Sequence, residues 1–357
     1  MRSYQKIFGV LIVWDGMRFL WAATWVDFWL KCGVTGTQLA HLKSWTALVC
    51  VIFLWLLPRW QQYRKQLFLL GIIGTAGQFL CMLMADRTES VVWLYGSEAC
   101  NATALAAIQC VARAYLIGTY QKQSSNSSTE QLLVWESRCG LVSALIGLCL
   151  GTWAYTHNTQ DLLNYSCLLS VVLCAVAVSV LPSDCQPQHK SKTPEAAHYA
   201  ALRPIRSQFS CVLIWLCCAV VLQMTIHGWP WLLFQASHHQ MGLGWTALSA
   251  AAQLMAQGFS SIAWRWARGH HTKTYLSTLV IVLGLLSWCW HQQWLLGCVA
   301  FVALLTLLTG RIMLRCQVQL HDALLEEQRV AVEATLGCMH RLLVILLMTG
   351  ISVVNAV

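Results

Sequence analysis

Eleven apolar stretches follow one another along nearly the whole chain, and almost all are long enough to cross a bilayer. That repetition constrains the fold more than any motif. The hydrocarbon core of a bilayer is about 30 Å thick and takes roughly 20 apolar residues per helix. Backbone inside it must satisfy its own hydrogen bonds, which selects helices. With 57% hydrophobic and 10% charged residues in 357, the chain lacks the surface charge of a water-soluble protein of this size. The fold class expected is therefore all-α, a polytopic membrane protein of about 11 transmembrane helices.

Hydropathy places the spans at 7–30, 39–57, 67–85, 91–118, 132–155, 163–181, 207–234, 244–264, 275–290, 294–316 and 331–354. Most basic residues fall in alternate gaps. Arg2 and Lys6 precede the first span; Arg59, Arg64 and Lys65 follow the second. Lys122 and Arg138 lie around the fourth gap, and Lys190, Lys192, Arg203 and Arg206 follow the sixth span. Arg265, Arg268 and Lys273 follow the eighth, and Arg315 and Arg329 bracket the gap after the tenth. The other side holds Lys31, Arg87 and, at the edge of the second span, Lys43. The positive-inside rule then expects a cytoplasmic N-terminus in the inner or plasma membrane, with the C-terminus outside. The first span is too long and too charged for a cleavable signal and is expected to remain as a helix.

The longest polar stretch, 182–206, holds four of the six prolines. It divides the chain into an expected six-helix bundle (1–181), a cytoplasmic linker (182–206) and a five-helix bundle (207–357). Corresponding features recur in the two parts. An Arg-Trp pair marks the membrane edge after the second span (Arg59-Trp60) and again after the eighth (Arg265-Trp266). Glu136-Ser137-Arg138 opens the fifth span, and Glu327-Gln328-Arg329 precedes the eleventh. The pairs point to a duplicated bundle, an arrangement that secondary transporters use.

The run Arg329–Leu343, RVAVEATLGCMHRLL, resembles the Arg-Ala-Thr…Ser…Arg-Leu pattern that opens the eleventh helix in many members of the major facilitator superfamily. Gly33-Val34-Thr35-Gly36-Thr37-Gln38 is similar to the turn after that family's first helix, and Trp231–Gln235 fits its seventh. The resemblance implies two pseudo-repeated bundles (6 + 5) around a central passage, with Arg59, Arg64, Arg138 and Arg329 at the cytoplasmic gate. It also implies that the first and fourth helices line the passage and that Arg341 has a structural role. Two features depart from the family. The Gly and Asp of its loop between helices two and three are missing between Pro58 and Gln66. A twelfth span is also expected, and eleven are found.

A charge in hydrocarbon costs a few kcal/mol and needs a partner or a wet cavity. Asp15 and Arg18, three residues apart, share one face of the first span. Arg18 lies about 16 Å along that helix, near the midplane. Glu98, with Asn101 after it, reads as a buried carboxylate suited to proton exchange, weighed against an outward-facing one near the headgroups. The seventh span carries Gln223, His227 and Trp229 around Gly228 and Pro230. Gly-Trp-Pro is expected to interrupt that helix as a hinge or gate. Arg341, always charged, calls for a carboxylate or an anionic ligand. Trp14, Trp21 and Trp25 form one stripe on the first span, which packs or, facing a cavity, stacks on a flat apolar, cationic or sugar ligand.

Other classes are excluded by what the chain lacks. Its +9 charge is spread over short loops rather than one patch, which argues against nucleic acid. Most of its 17 cysteines lie in apolar stretches, with no Cys-x-x-Cys pair for a metal. No P-loop points to ATP, and no nucleophile–base constellation points to an enzyme. No cofactor or metal is expected, and no oligomer is implied. The expected partners are a small-molecule substrate, protons and the lipid bilayer. The leading expectation is a secondary active transporter, the aromatic content favouring proton-coupled efflux of a small amphipathic compound. The alternative is a non-transporting sensor, partner subunit or degenerate permease with the same fold.

Overall fold

The computed structural model describes residues 3–60, 63–123, 129–182, 206, 208–236, 242–263, 272–322 and 326–354. Apart from its first and last residues, the expected linker 182–206 lies outside the described residues, as do Trp264, Arg265, Trp266 and Arg268. The described helices are α1 (Ser3–Phe19), α2 (Trp25–Lys31), α3 (Gly36–Leu56), α4 (Arg64–Thr88), α5 (Val91–Ala107), α6 (Arg113–Gln123), α7 (Thr129–His157) and α8 (Thr159–Val180) in the first half. The second half has α9 (Phe209–Ala236), α10 (Gly242–Ala263), α11 (Thr272–His291), α12 (Leu295–Asp322) and α13 (Glu326–Val354). Each expected span has its helix or helix pair. Among the described residues, five helices are long and apolar enough to cross a membrane by length and composition: the stretches Gly36–Trp60, Arg64–Thr88, Val134–His157, Thr159–Val180 and Leu295–Met313.

The exterior is apolar where a soluble protein would be wet. Val142, Ile146, Leu150 and Trp153 repeat along α7, and each is more than half exposed. Leu168, Val171 and Val178 are likewise more than half exposed on α8. Surfaces of this kind belong in hydrocarbon, and the protein is an integral membrane protein.

Local chemistry fixes several ends. Gly33 takes a left-handed φ of 82°, turning the chain after α2. Thr35 then caps α3: its hydroxyl accepts the Gln38 N–H, and the Gln38 amide accepts the Thr35 N–H at 2.8 Å. The 33–38 motif is thus turn and cap chemistry. Asn158 caps α8 through the Gln160 N–H at 3.0 Å. Lys65 donates to the Leu181 carbonyl at 2.9 Å, so one of the basic loop residues closes the end of α8.

Two spans depart from single helices. The first is broken at Leu20–Thr24, where the N–H groups of Leu20, Ala22 and Thr24 reach back only three residues, at 3.2–3.3 Å. The fourth contains a π-turn at Ile108–Ala112 between α5 and α6. Conversely, the break expected at Gly228-Trp229-Pro230 is absent: α9 runs unbroken from Phe209 to Ala236 with Pro230 inside it. In a bilayer an opened turn finds no water, so a helix keeps its remaining bonds through proline.

Within the first half α4 packs on α5 and α8, and α1 on α7; within the second, α9, α10 and α11 pack on α12. The halves meet where α3 packs on α13 and α7 on α10. The second span of the first half thus meets the fifth of the other, and the fifth meets the second. That reciprocal exchange is the contact pattern of two repeats about a two-fold axis. Small residues let backbones approach, as membrane helix packing requires. A Cβ on Gly147 would stand 2.0 Å from the Gly16 carbonyl oxygen, and one on Gly151 1.8 Å from that of Leu20.

Candidate functional site

A cavity of about 590 Å³ lies between the halves. The first half lines it with Asp15, Arg18 and Phe19 of α1, Trp21 of the break, Trp25 and Trp29 of α2, Lys43 of α3, Gln78 and Phe79 of α4, Glu98 and Asn101 of α5, and Glu136 of α7. The second half adds Leu222, Ile226 and Pro230 of α9, Gln253, Leu254 and Gln257 of α10, and Gly310 and Met313 of α12. Among the described residues, every charged lining residue comes from the first half; the second supplies amides and apolar surface.

The centre of the charged wall is a buried ion pair. Lys43 Nζ lies 3.4 Å from Glu98 Oε2, with both side chains about nine-tenths buried or more. The same oxygen accepts the Thr46 hydroxyl. Trp25 and Trp29, packed edge to face at 5.1 Å, present their rings to the ammonium at 5.0 and 4.5 Å. The break in the first span makes this possible, since it sets α2 off as a separate short helix carrying both indoles. A cation held between aromatic faces and a carboxylate is stabilised without water.

A second cluster lies on α1. Arg18 packs over the Trp14 ring at 4.7 Å, and Trp14 donates to Thr75 of α4 at 2.8 Å. The Arg18 charge has Asp15 and Arg341 as electrostatic neighbours. Arg341, on α13 of the other half, is 8% exposed and stands near the Cys50 thiol of α3, which itself donates to the Ala102 carbonyl at 3.5 Å. It also lies within electrostatic range of Lys43. Nearer the far end of the first span, Asp27 accepts from Tyr155 at 2.6 Å and pairs with Lys31 at 2.9 Å, which makes it structural.

The backbone superposes on solved transporters over nearly its full length. One is a structure of the nucleoside transporter NupG, with a TM-score of 0.63, 11% identity, and 99% of this chain and 97% of that one covered. Another is the fucose:proton symporter FucP of E. coli, with a TM-score of 0.58, 16% identity, and 99% and 94% coverage. The chain shares the fold of these two transporters. No protein-family model and no curated protein sequence matches the chain.

In this fold five of the expected site residues come together: Asp15, Arg18, Glu98, Asn101 and Pro230 all line the cavity. Arg341 stands behind its wall. Gln223 and Trp229 do not line it. Trp229 is buried instead among Leu233, Cys289, Cys298, Val299 and Val302, since a continuous α9 turns it toward α11 and α12. The side chains of His227 and Arg329 and the surroundings of Gly228 lie outside what is described. Of the expected gate residues, Arg59 sits exposed in the 3-10 turn Leu57–Trp60, Arg64 opens α4, and Arg138 of α7 has a buried Nε without a hydrogen-bond partner.

Sequence reasoning put Lys43 with the charges at the membrane edge and read Glu98 without a partner. The structure brings the two together across α3 and α5. One signal was available: a lysine seven residues inside a helix that starts at Gly36 is too deep for a loop charge. Gln78, Gln253 and Gln257 were also missed, although amides within apolar spans carry the same signal as buried charges. Among the described residues no group of three or more His, Cys, Asp or Glu side chains is placed to hold a metal ion.

Proposed function

We propose that the protein is a secondary transporter of the inner or plasma membrane, with its N-terminus in the cytoplasm. The two halves rock about the shared cavity and expose it alternately to either side. The observation that carries this reading is the cavity itself: about 590 Å³, set between two halves that touch along α3·α13 and α7·α10, and charged on one wall. Its volume falls in the range of small-molecule sites. The kinship in fold with a nucleoside transporter and a fucose:proton symporter supports the reading.

Glu98 is the proposed coupling group. While it is ionised, Lys43 is its counter-ion. A proton taken up on Glu98 neutralises the carboxylate and releases the ammonium, which is then held by the indoles alone. A ligand or the return of Glu98 restores the balance, so proton and substrate occupancy become linked. Asp15 beside Arg18 keeps the neighbouring charge compensated.

The test is reconstitution into liposomes loaded with a pH-sensitive dye, followed by addition of nucleosides, monosaccharides, organic acids and amines. The wild type should carry a member of the panel with accompanying proton movement. Glu98→Gln should lose the proton movement, and Asp15→Asn should reduce it less. Sealed vesicles of folded wild-type protein that move none of the panel would count against transport.

A further inference from the structure

The charged groups of the cavity wall are engaged, while three of its uncharged polar groups are not. Lys43 pairs with Glu98, Arg18 packs over the Trp14 ring, and Asp15 and Glu136 each take part in an interaction of their own. Gln78, Ser97 and Asn101 line the same cavity, and none of the three has a hydrogen bond among the described residues. Neighbouring polar side chains find one. Thr75 donates to the Gly71 carbonyl at 3.2 Å, Thr103 to that of Ala99 at 3.0 Å, and Gln253 to Ser249 at 3.2 Å. Ser97 is 2% exposed, so its hydroxyl is unspent in a place where water is scarce.

The three groups sit together. Ser97 and Asn101 are four residues apart on one face of α5. The helix α4 runs close beside it: a Cβ on Gly74 would stand 2.9 Å from the Cys100 carbonyl oxygen, and one on Gly77 3.0 Å from the Cys100 sulfur. Gln78, next to Gly77, and Asn101, next to Cys100, thus flank one helix contact. On the second half, Pro230 brings no N–H to the Ile226 carbonyl, and both residues line the cavity.

An amide carries donor and acceptor in one plane, and a hydroxyl serves as either. Left unpaired in a low-dielectric site, such groups are costly. A ligand that pairs with them offers a donor and an acceptor side by side and needs no charge. Phe19, Trp21 and Phe79 add aromatic walls to the same space, which suits a flat body. We infer that the molecule bound there is an uncharged flat ring with an amide edge, an N–H beside a C=O, read by Gln78, Ser97 and Asn101. The inference rests on the transporter reading and names the substrate class of that same cavity.

The probes are benzamide and uracil against their fully N-methylated forms, which keep ring and carbonyl and lose every N–H. Benzoate tests for a charged ligand and methyl glucoside for a polyol. Binding to the purified full-length protein is read by scintillation proximity with radiolabelled compound, and flux by uptake into proteoliposomes. Benzamide and uracil should bind roughly ten- to a hundredfold more tightly than their methylated forms, the range for a buried group left unpaired. Asn101→Leu and Gln78→Met should each remove most of that preference. Because neither amide has a partner in the protein, both variants should keep or raise the melting temperature. Should either fail to fold, Ser97→Ala tests the same contact, with amide binding weakened about three- to tenfold. Methylated forms binding as tightly as the amides would overturn the inference, as would benzoate or the glucoside outcompeting both amides. So would an undiminished preference in Asn101→Leu and Gln78→Met. Vesicles that move sugars, acids or amines and ignore the amides would sink the amide ligand and leave the transporter standing. Amide binding without any flux would support the ligand and count against transport.

Discussion

Thr246 of α10 donates its hydroxyl to the Ala23 carbonyl at 2.9 Å, joining the second half to the broken turn of the first span. Ala23 sits where the helix has lost its regular bonds, so the threonine satisfies an acceptor that the break exposes. Around it pack small side chains from both halves: Ala22, Ala144, Ala247, Ala250 and Ala251. The contact thus links a local irregularity to the interface that must open if the halves rock. Thr246→Val keeps the shape and removes the donor. The expected result is a shift toward the state in which α10 and the turn are apart, by roughly three- to tenfold, the value of one hydrogen bond. Spin labels on α2 and α10 measure it; an unchanged distance distribution would show that the tether carries no gating energy.

The Lys43–Glu98 pair makes a prediction about stability that is separate from transport. Removing one member leaves a bare charge nine-tenths buried or more, while removing both leaves two neutral amides that still meet Thr46. Lys43→Gln should cost about 3–5 kcal/mol, and the double variant Lys43→Gln with Glu98→Gln should recover most of it. Thermal unfolding in detergent completes the cycle. Additive losses would mean that water reaches the pair and screens it.

Much of the fold was legible because it depends on chain-local features. Apolar length gave every span, and the turn at 33–38 carries its own cap in Thr35 and Gln38. What escaped depends on neighbours. Phe19-Leu20-Trp21-Ala22-Ala23-Thr24 holds neither Gly nor Pro, so nothing local announces a break. The causes lie far along the chain, in Gly151 admitting the Leu20 carbonyl, Ser166 accepting the Trp21 indole at 3.1 Å, and Thr246 holding Ala23. The reverse error at Pro230 has the same origin, since proline signals a break only where water or a partner takes the freed groups. In the site, single charges such as Asp15 and Glu98 could be found from their apolar surroundings. The pairing of Glu98 with Lys43, 55 residues away, could not.

Close approach of α1 and α7 yields a prediction with an internal control. A methyl group at Gly151 meets the Leu20 carbonyl oxygen at 1.8 Å, and backbone cannot move aside as a side-chain tip can. Gly9 on the same α1 has nothing within 4 Å. Gly151→Ala should therefore destabilise by about 1–3 kcal/mol or more and disturb the broken turn, as overpacking does. Gly9→Ala should hold or gain about 0.5–1 kcal/mol from helix propensity. Comparable melting temperatures for the two variants would mean that α1 and α7 are farther apart than described.

Pro230 is the residue where sequence and structure disagree most directly, and its replacement decides between them. Without an N–H, Pro230 leaves the Ile226 carbonyl lacking its helical donor, and both residues line the cavity. If the helix is already continuous, Pro230→Ala supplies the missing bond at a net gain of about 0.5–1.5 kcal/mol. Against this, alanine frees the unfolded chain by about 0.4–1 kcal/mol. The two effects nearly cancel, so stability should stay within about 1 kcal/mol of wild type and helix content by circular dichroism should not change. Transport should weaken more than stability, because the substitution withdraws a carbonyl acceptor from the cavity wall. A rise in helix content would reveal that proline breaks α9 after all, and would restore the hinge that the sequence suggested.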